Sequence, residues 1–287
     1  MIVTRMALCR AVLADAAVIM VQVVPSHSGD GPRARAVGRD WQKTAGYNRT
    51  LSCQDGISPL RPIELRPFQM EYRVFLQARM SSRRFPGKML APLAGRPMIA
   101  WLLERLGAAV GRERLVLATS EDATDLPLAH FAERYGYQVF RGGLDNVFER
   151  FQACARVHPA PWVVRICGDS PMLDPGLIPM LLAHCHAGID LVTNVATRTF
   201  PPGQSVEILS AETLQSVNAQ ELNAEECEHP TQVFYRNPAR YSIRNIAATN
   251  PEWPRLSFVV DTLEDLRRLE PAMRTGAFPS FSAAVAA

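Results

Sequence analysis

The segment QARMSSRRFPGK holds four cations in ten residues: Arg79, Arg83, Arg84 and Lys88. Ser81 and Ser82 lie among them, and Pro86-Gly87 lets the backbone turn sharply just before the lysine. Cations combined with free backbone N–H groups are what a polyphosphate needs. Of 31 basic residues only two are lysines, Lys43 and Lys88. Lysine offers a compact point charge where arginine offers a planar fork, so the two do not substitute for one another at a phosphate. A charged turn can also be a merely solvated one. The position of this segment, directly after a short apolar run at 72–77, favours anion binding.

Two further polar clusters follow apolar runs. Gly168-Asp169-Ser170-Pro171, with Asp174 beyond it, comes after 162–167. Asp261 comes after 256–260. An acidic residue at a strand end beside a phosphate site suits Mg²⁺, which takes one or two carboxylates plus substrate phosphates and water. Each acid could instead cap the helix that follows it. Asp174, immediately before Pro175, reads as a cap, and Asp169 and Asp261 are the metal candidates. Their separation in sequence leaves the pairing itself open.

These residues need a scaffold that gathers strand ends. From residue 72 onward, strands and helices alternate. Strands are expected at 72–77, 114–119, 137–140, 162–167 and 189–193, and helices at 97–110, 125–135, 145–157 and 175–186. Pro97 suits a first turn, and Asp145 is a candidate cap. This rhythm predicts an α/β fold with a parallel sheet covered by helices. In such sheets ligands bind beyond the carboxyl ends of the strands, where all three clusters fall. After residue 195 the pattern loosens. Strands are expected at 205–209, 241–246 and 256–260, and helices at 211–220, 226–235 and 262–269.

Composition bounds the function. The chain has 287 residues, 47% apolar and 21% charged, as in a soluble globular protein. The net charge of +3 is uneven. Residues 1–69 carry nine Arg/Lys against five Asp/Glu, and residues 70–287 carry 22 against 23. The main body therefore gives no reason to invoke nucleic acid or a membrane. The apolar stretch 6–24 is broken by Arg10 and Asp15 and is too short and too charged to span a bilayer. The same charges argue against a signal peptide. Residues 25–68 are rich in Pro, Gly, Ser and Arg and read as loop or disorder. Residues 1–69 are thus expected to be a poorly ordered N-terminal extension or the product of a misplaced start, with the functional domain at 70–287. The six cysteines contain no Cys-x-x-Cys pair, which fits reduced thiols in the cytoplasm. His184-Cys185-His186 is a poor zinc site, because adjacent residues on a helix face different directions.

Four strings, QARMSSRRFPGKML, RICGDSPMLDP, RTFPPGQSVEIL and VVDTLEDL, occur in that order. Together they resemble the successive motifs of the cytidylyltransferase family. The likeness is to the spore-coat-polysaccharide type, related to the acylneuraminate and 3-deoxy-octulosonate cytidylyltransferases, and it runs from about residue 73 to 270. It implies a nucleotide-diphospho-sugar transferase fold, a mixed and mostly parallel sheet with helices on both faces. It also implies transfer of CMP from CTP to a small sugar substrate, with release of pyrophosphate. Carried over by motif, Ala78, Arg79, Ser82, Arg84, Lys88 and Gly168 would hold the nucleotide. Arg79, Arg84 and Lys88 would also act in catalysis. Thr119 and Ser120 would lie near base or ribose, and Asp169 and Asp261 would bind Mg²⁺. Arg198, Glu207, Glu228 and His229 would face the acceptor. Relatives are commonly dimers, so a homodimer is implied too.

The chain also departs from the family pattern. Arg83 stands where Thr is common. Gln204-Ser205 replaces Leu-Asp, so a carboxylate is absent, and Ser257 stands where Arg is usual. Two other readings follow. A hexose-1-phosphate nucleotidyltransferase would open with a glycine-rich loop, where this loop has Ser81 and Ser82. A catalytically weak nucleotide-binding homologue would fit Ser205 and Ser257, but not the intact Lys88, Asp169 and Asp261.

Overall fold

Successive residues of the first strand, β1 (Tyr72–Gln77), point to opposite faces. Val74 and Leu76 pack into one apolar core, and Phe75 packs into another. A strand buried on both sides must be apolar at every central position, and Val74, Phe75 and Leu76 are all fully buried. The computed structural model describes residues 70–282. The expectations for residues 1–69, including the apolar stretch 6–24, lie outside the described residues.

The other strands are β2 (Pro92–Leu93), β3 (Arg96–Pro97), β4 (Leu115–Ser120), β5 (Gln138–Gly142), β6 (Trp162–Cys167), β7 (Leu191–Thr193), β8 (Glu207–Ser210) and β9 (Ile243–Asn245). β2 and β3 form a small hairpin. The remaining seven make one sheet in the order β5-β4-β1-β6-β8-β7-β9. Pairing is parallel from β5 to β6 and between β7 and β9. β8 is antiparallel to both neighbours. The carboxyl ends of β1, β4, β5, β6 and β7 therefore share one edge with the start of β8.

Among the described residues there are eight α-helices: α1 (Met98–Val110), α2 (Leu126–Arg134), α3 (Val147–Val157), α4 (Leu177–Leu182), α5 (Ala211–Ser216), α6 (Ala224–Glu228), α7 (Gln232–Arg236) and α8 (Leu263–Thr275). Residues of α1, α2, α4 and α8 fill the core on one face. Residues of α3, α5 and α7 fill the other. The fold class is thus the expected one.

Several local expectations need correction. Residues 256–260 form no strand. Phe258 N donates instead to Pro202 O (2.8 Å) and Val260 N to Asp169 O (2.9 Å), so loops rather than a ladder satisfy this backbone. The helix expected at 226–235 is two short ones, α6 and α7, broken around Pro230, whose ring lacks an N–H donor. The cap of α3 is Asn146, accepting from Glu149 N at 2.9 Å, and not Asp145. Asp174 does not cap α4, whose N-cap is Gly176. Its carboxylate accepts from Gly176 N, Phe281 N and Ser282 N and so ties the end of the described chain to the loop after β6.

Candidate active site

The cationic loop begins where β1 ends, and a buried carboxylate fixes its start. Asp125, fully buried, accepts from Met80 N at 2.6 Å. Its second oxygen accepts from Thr119 Oγ1 (3.0 Å), Ser120 N (3.1 Å) and the Ser120 hydroxyl. The loop then closes on itself, with Gly87 N donating to Met80 O (2.9 Å) and Lys88 N to Phe85 O (3.2 Å). Gly87 has φ 76°, a left-handed conformation that suits glycine. Lys88 starts a single 3-10 turn, Lys88–Leu90, and its side chain passes inward.

Lys88 is only 6% exposed. Its Nζ donates to Val260 O (2.7 Å) and Asp261 Oδ1 (3.0 Å), and lies 3.8 Å from Asp169 Oδ2. Arg84 reaches the other oxygen of Asp261 at 2.6 Å. Burial pushes the Asp261 carboxyl up, but hydrogen bonds from Arg84 and Lys88 outweigh it and hold the group below the ordinary aspartate value. The two acids are joined through backbone, since Val260 N donates to Asp169 O. Gly168 N in turn donates to Gln77 O at 2.8 Å. A Cβ on Gly168 would lie 2.8 Å from Ala78 Cβ and 3.1 Å from Gln77 O. Glycine is therefore required for Asp169 to sit this close to the loop.

Asp169 and Asp261 keep about a third of their side-chain surface, 31% and 35%. Two partly open carboxylates suit a cation whose remaining ligands are phosphate and water. No group of three or more His, Cys, Asp or Glu able to hold a metal occurs among the described residues, the His184-Cys185-His186 string included. A dedicated protein cage is thus not what this site offers.

The other expected residues separate into three sets. Ala78 and Gly168 are buried at the strand ends, and Ser82 Oγ accepts from Phe85 N within the loop. Thr119 and Ser120 end β4 beside the loop, but both are fully buried with their hydroxyls committed to Asp125. The expected acceptor residues have different surroundings. Glu207 is 3% exposed, ion-paired to Arg165, and accepts from Tyr235 Oη at 2.6 Å. Arg198 is exposed, with only a 3.5 Å contact to Ser205 Oγ. His229 is exposed, and Glu228 pairs instead with Arg79 at 2.5 Å. This last pair borders a cavity of about 550 Å³ that Ser81, Arg83, Leu144 and Asn146 also line.

Sequence reasoning missed two positioning groups, Asp125 and Gln204, and one buried cation, Arg150. Asp125 sits among Glu121 and Asp122, and nothing in TSEDATD says which acid turns inward. Gln204, the departure from the family's Leu, accepts from Asp174 N (2.7 Å) and donates to Met172 O (3.0 Å), clamping the loop that carries Asp169. Arg150 left a legible signal: a charge three residues after Val147 and four before Cys154, on the apolar face of α3.

A sheet switching from parallel to antiparallel, with cations and two acids at its carboxyl edge, defines a nucleotidyltransferase of the nucleotide-diphospho-sugar transferase fold. The cytidylyltransferase family model matches residues 74–271, and the chain belongs to that family. It is 31% identical over 218 residues to the spore coat polysaccharide biosynthesis protein SpsF of Bacillus subtilis, covering 72% of this chain and 89% of that protein. It is 36% identical over 126 residues to a 3-deoxy-manno-octulosonate cytidylyltransferase of Anaeromyxobacter dehalogenans, covering 42% of this chain and 49% of that protein. Among solved structures, a cytidylyltransferase from Leptospira borgpetersenii superposes with a TM-score of 0.68 at 25% identity, covering 75% and 90% of the two chains. No helix among the described residues is long and apolar enough to cross a membrane.

Proposed function

We propose that this chain transfers CMP from CTP to a hydroxyl of a sugar acid or related surface-polysaccharide precursor, releasing pyrophosphate, with Mg²⁺ as cofactor. The observation that carries the reading is the buried Lys88 amine held against Asp169 and Asp261 at the carboxyl edge of the sheet. Lys88, Arg84 and Arg79 supply fixed positive charge for the triphosphate, and the loop start at Ala78 and Ser82 bounds it. Asp169 and Asp261 are the residues that would hold the metal, which when bound neutralises phosphate charge.

The oxygen of the sugar hydroxyl forms a bond to the α-phosphorus of CTP and its proton passes to water, the bond from that phosphorus to the oxygen bridging to the β-phosphate breaks, and pyrophosphate leaves. Such chemistry asks the protein mainly to align the two oxygens and stabilise charge. The ion pairs of Lys88 and Arg84 with Asp169 and Asp261 serve this, because they hold these two cations at the strand edge before substrate arrives. Arg79 exchanges Glu228 for phosphate on binding, and of the acceptor residues Arg198, Glu228 and His229 keep exposed surface with which to contact the sugar, whereas Glu207 is buried. The name of the similar 3-deoxy-manno-octulosonate cytidylyltransferase supports a cytidine nucleotide and a sugar acid, and that of the similar spore coat protein supports a surface polysaccharide.

A panel of CTP, UTP and dTTP with candidate sugar acids and hexose 1-phosphates, read by pyrophosphate release, tests this. Turnover with CTP and a sugar acid is expected. Turnover with UTP or dTTP and a hexose phosphate, or nucleotide binding without turnover, would overturn it.

A further inference from the structure

Beyond α8 the chain returns to the loops that carry the two acids. Phe281 is only 4% exposed. Its ring meets Trp253 edge-on, with 4.7 Å between centroids, and Phe258 at 5.8 Å. Its backbone N–H donates to Asp174 Oδ2 (2.7 Å), and Ser282 N donates to the same oxygen (2.9 Å). One residue therefore holds two loops at once, the one at 169–174 by hydrogen bonding and the one at 253–260 by aromatic packing.

Neither loop belongs to a strand, so no ladder fixes either of them. They meet directly where Val260 N donates to Asp169 O at 2.9 Å. Asp261 is the next residue, and Val260 O is the acceptor for Lys88 Nζ. Phe258 touches Phe281 with its ring and the 202–203 turn with its backbone. Its N–H donates to Pro202 O, and a Cβ on Gly203 would stand 2.6 Å from its carbonyl carbon. A buried phenylalanine can simply fill a core. This one packs on the segments that carry both metal candidates, and close packing passes a displacement from one segment to the next.

We propose that Phe281 is a positioning residue for the pair Asp169 and Asp261, holding their two loops together as one unit. It acts through Asp174 and Phe258 rather than by contact with substrate. The inference rests on the nucleotidyl-transfer reading above, in which these two acids hold the metal.

Amide hydrogen exchange and steady-state kinetics on Phe281→Leu test this, with Phe151→Leu as the comparison. Phe151 is also buried, but in the core on the other face of the sheet, against Phe75. In Phe281→Leu, exchange at Val260 N is expected to quicken about tenfold, because the ring packing on Phe258 is lost. Met80 N, held by Asp125, keeps its protection. The kcat is expected to fall about 10- to 100-fold and the Mg²⁺ concentration for half-maximal rate to rise, with KM for CTP changed less than kcat. Phe151→Leu is expected to leave Val260 exchange and Mg²⁺ dependence at wild-type values. Wild-type exchange at Val260 in folded Phe281→Leu overturns the inference, whatever the activity. Equal acceleration in Phe151→Leu overturns it too, by making Phe281 an ordinary core residue. Faster exchange with unchanged kcat and Mg²⁺ dependence removes the positioning role. If Phe281→Leu does not unfold cooperatively, Phe281→Met is measured against the same criteria. A wild-type protein that turns over no CTP removes the reading beneath the inference, and the exchange comparison still decides whether Phe281 holds the two loops together.

Discussion

Lys88 Nζ donates to Asp261 Oδ1 at 3.0 Å, across 173 positions of sequence. The contact joins the loop after β1 to the start of α8 and makes the cationic loop and the acidic edge one unit. It also sets the first prediction. Lys88 is buried, with three oxygens within 3.8 Å of its amine. A guanidinium is larger and planar and does not fit that point. Lys88→Arg is therefore expected to lower turnover about 100- to 1,000-fold, as for loss of a preorganised charge contact. Steady-state kinetics at saturating CTP will measure it, and near-normal turnover would show that charge alone suffices.

Gly168→Ala introduces a methyl group 2.8 Å from Ala78 Cβ. Neither neighbour can yield easily, because both are held in the central strands' hydrogen bonding. The substitution is expected to destabilise the protein by about 1–3 kcal/mol and to displace Asp169. Urea unfolding gives the first quantity and activity of the folded fraction the second. Wild-type values for both would contradict the close approach.

Asp125→Ala removes the acceptor for Met80 N, Ser120 N and two hydroxyls in the interior. Leaving a buried donor unpaired costs about 1–3 kcal/mol, so a total of about 3 kcal/mol or more is expected. Hydrogen exchange at Met80 and Ser120 should accelerate selectively. Unchanged protection there would refute the account of how the loop is anchored.

Asp174 supplies the pH dependence. Burial pushes its carboxyl up, but hydrogen bonds from Phe281 N, Ser282 N and Gly176 N outweigh this and hold it below the ordinary 3.8. A carboxyl depressed by folding contributes stability above its unfolded pKa and loses it as pH falls through the folded one. Wild type should therefore lose stability on acidification more steeply than Asp174→Asn, with the gap closing from about pH 5 downward. Urea midpoints across that range measure it, and parallel profiles for the two proteins would rule the linkage out.

The alternation of apolar runs from 72 to 193 was enough to place the parallel half of the sheet, because its strands are buried on both faces. The sequence was less informative where tertiary contacts override local pattern. Residues 256–260 look like a strand, yet Pro202 and Asp169 satisfy their backbone. Pro230 splits a stretch whose periodicity reads as one helix. For the site, the cations and Asp169 were legible as residue types, whereas their convergence with Asp261 depends on a fold-level return of the chain. Glu207 shows the limit. It reads as a polar group near the acceptor, and only its pairing with Arg165 and Tyr235 shows it spent inside the protein.

The central claim, that Lys88 with Asp169 and Asp261 forms the centre for nucleotidyl transfer, is most directly tested by one measurement. Pyrophosphate release from CTP is followed with 3-deoxy-manno-octulosonate and related sugar acids, for wild type and Lys88→Met side by side. The account predicts release by wild type that depends on both CTP and a sugar acid, and loss of about 100-fold or more in the folded variant. Equal release by the two proteins would contradict it.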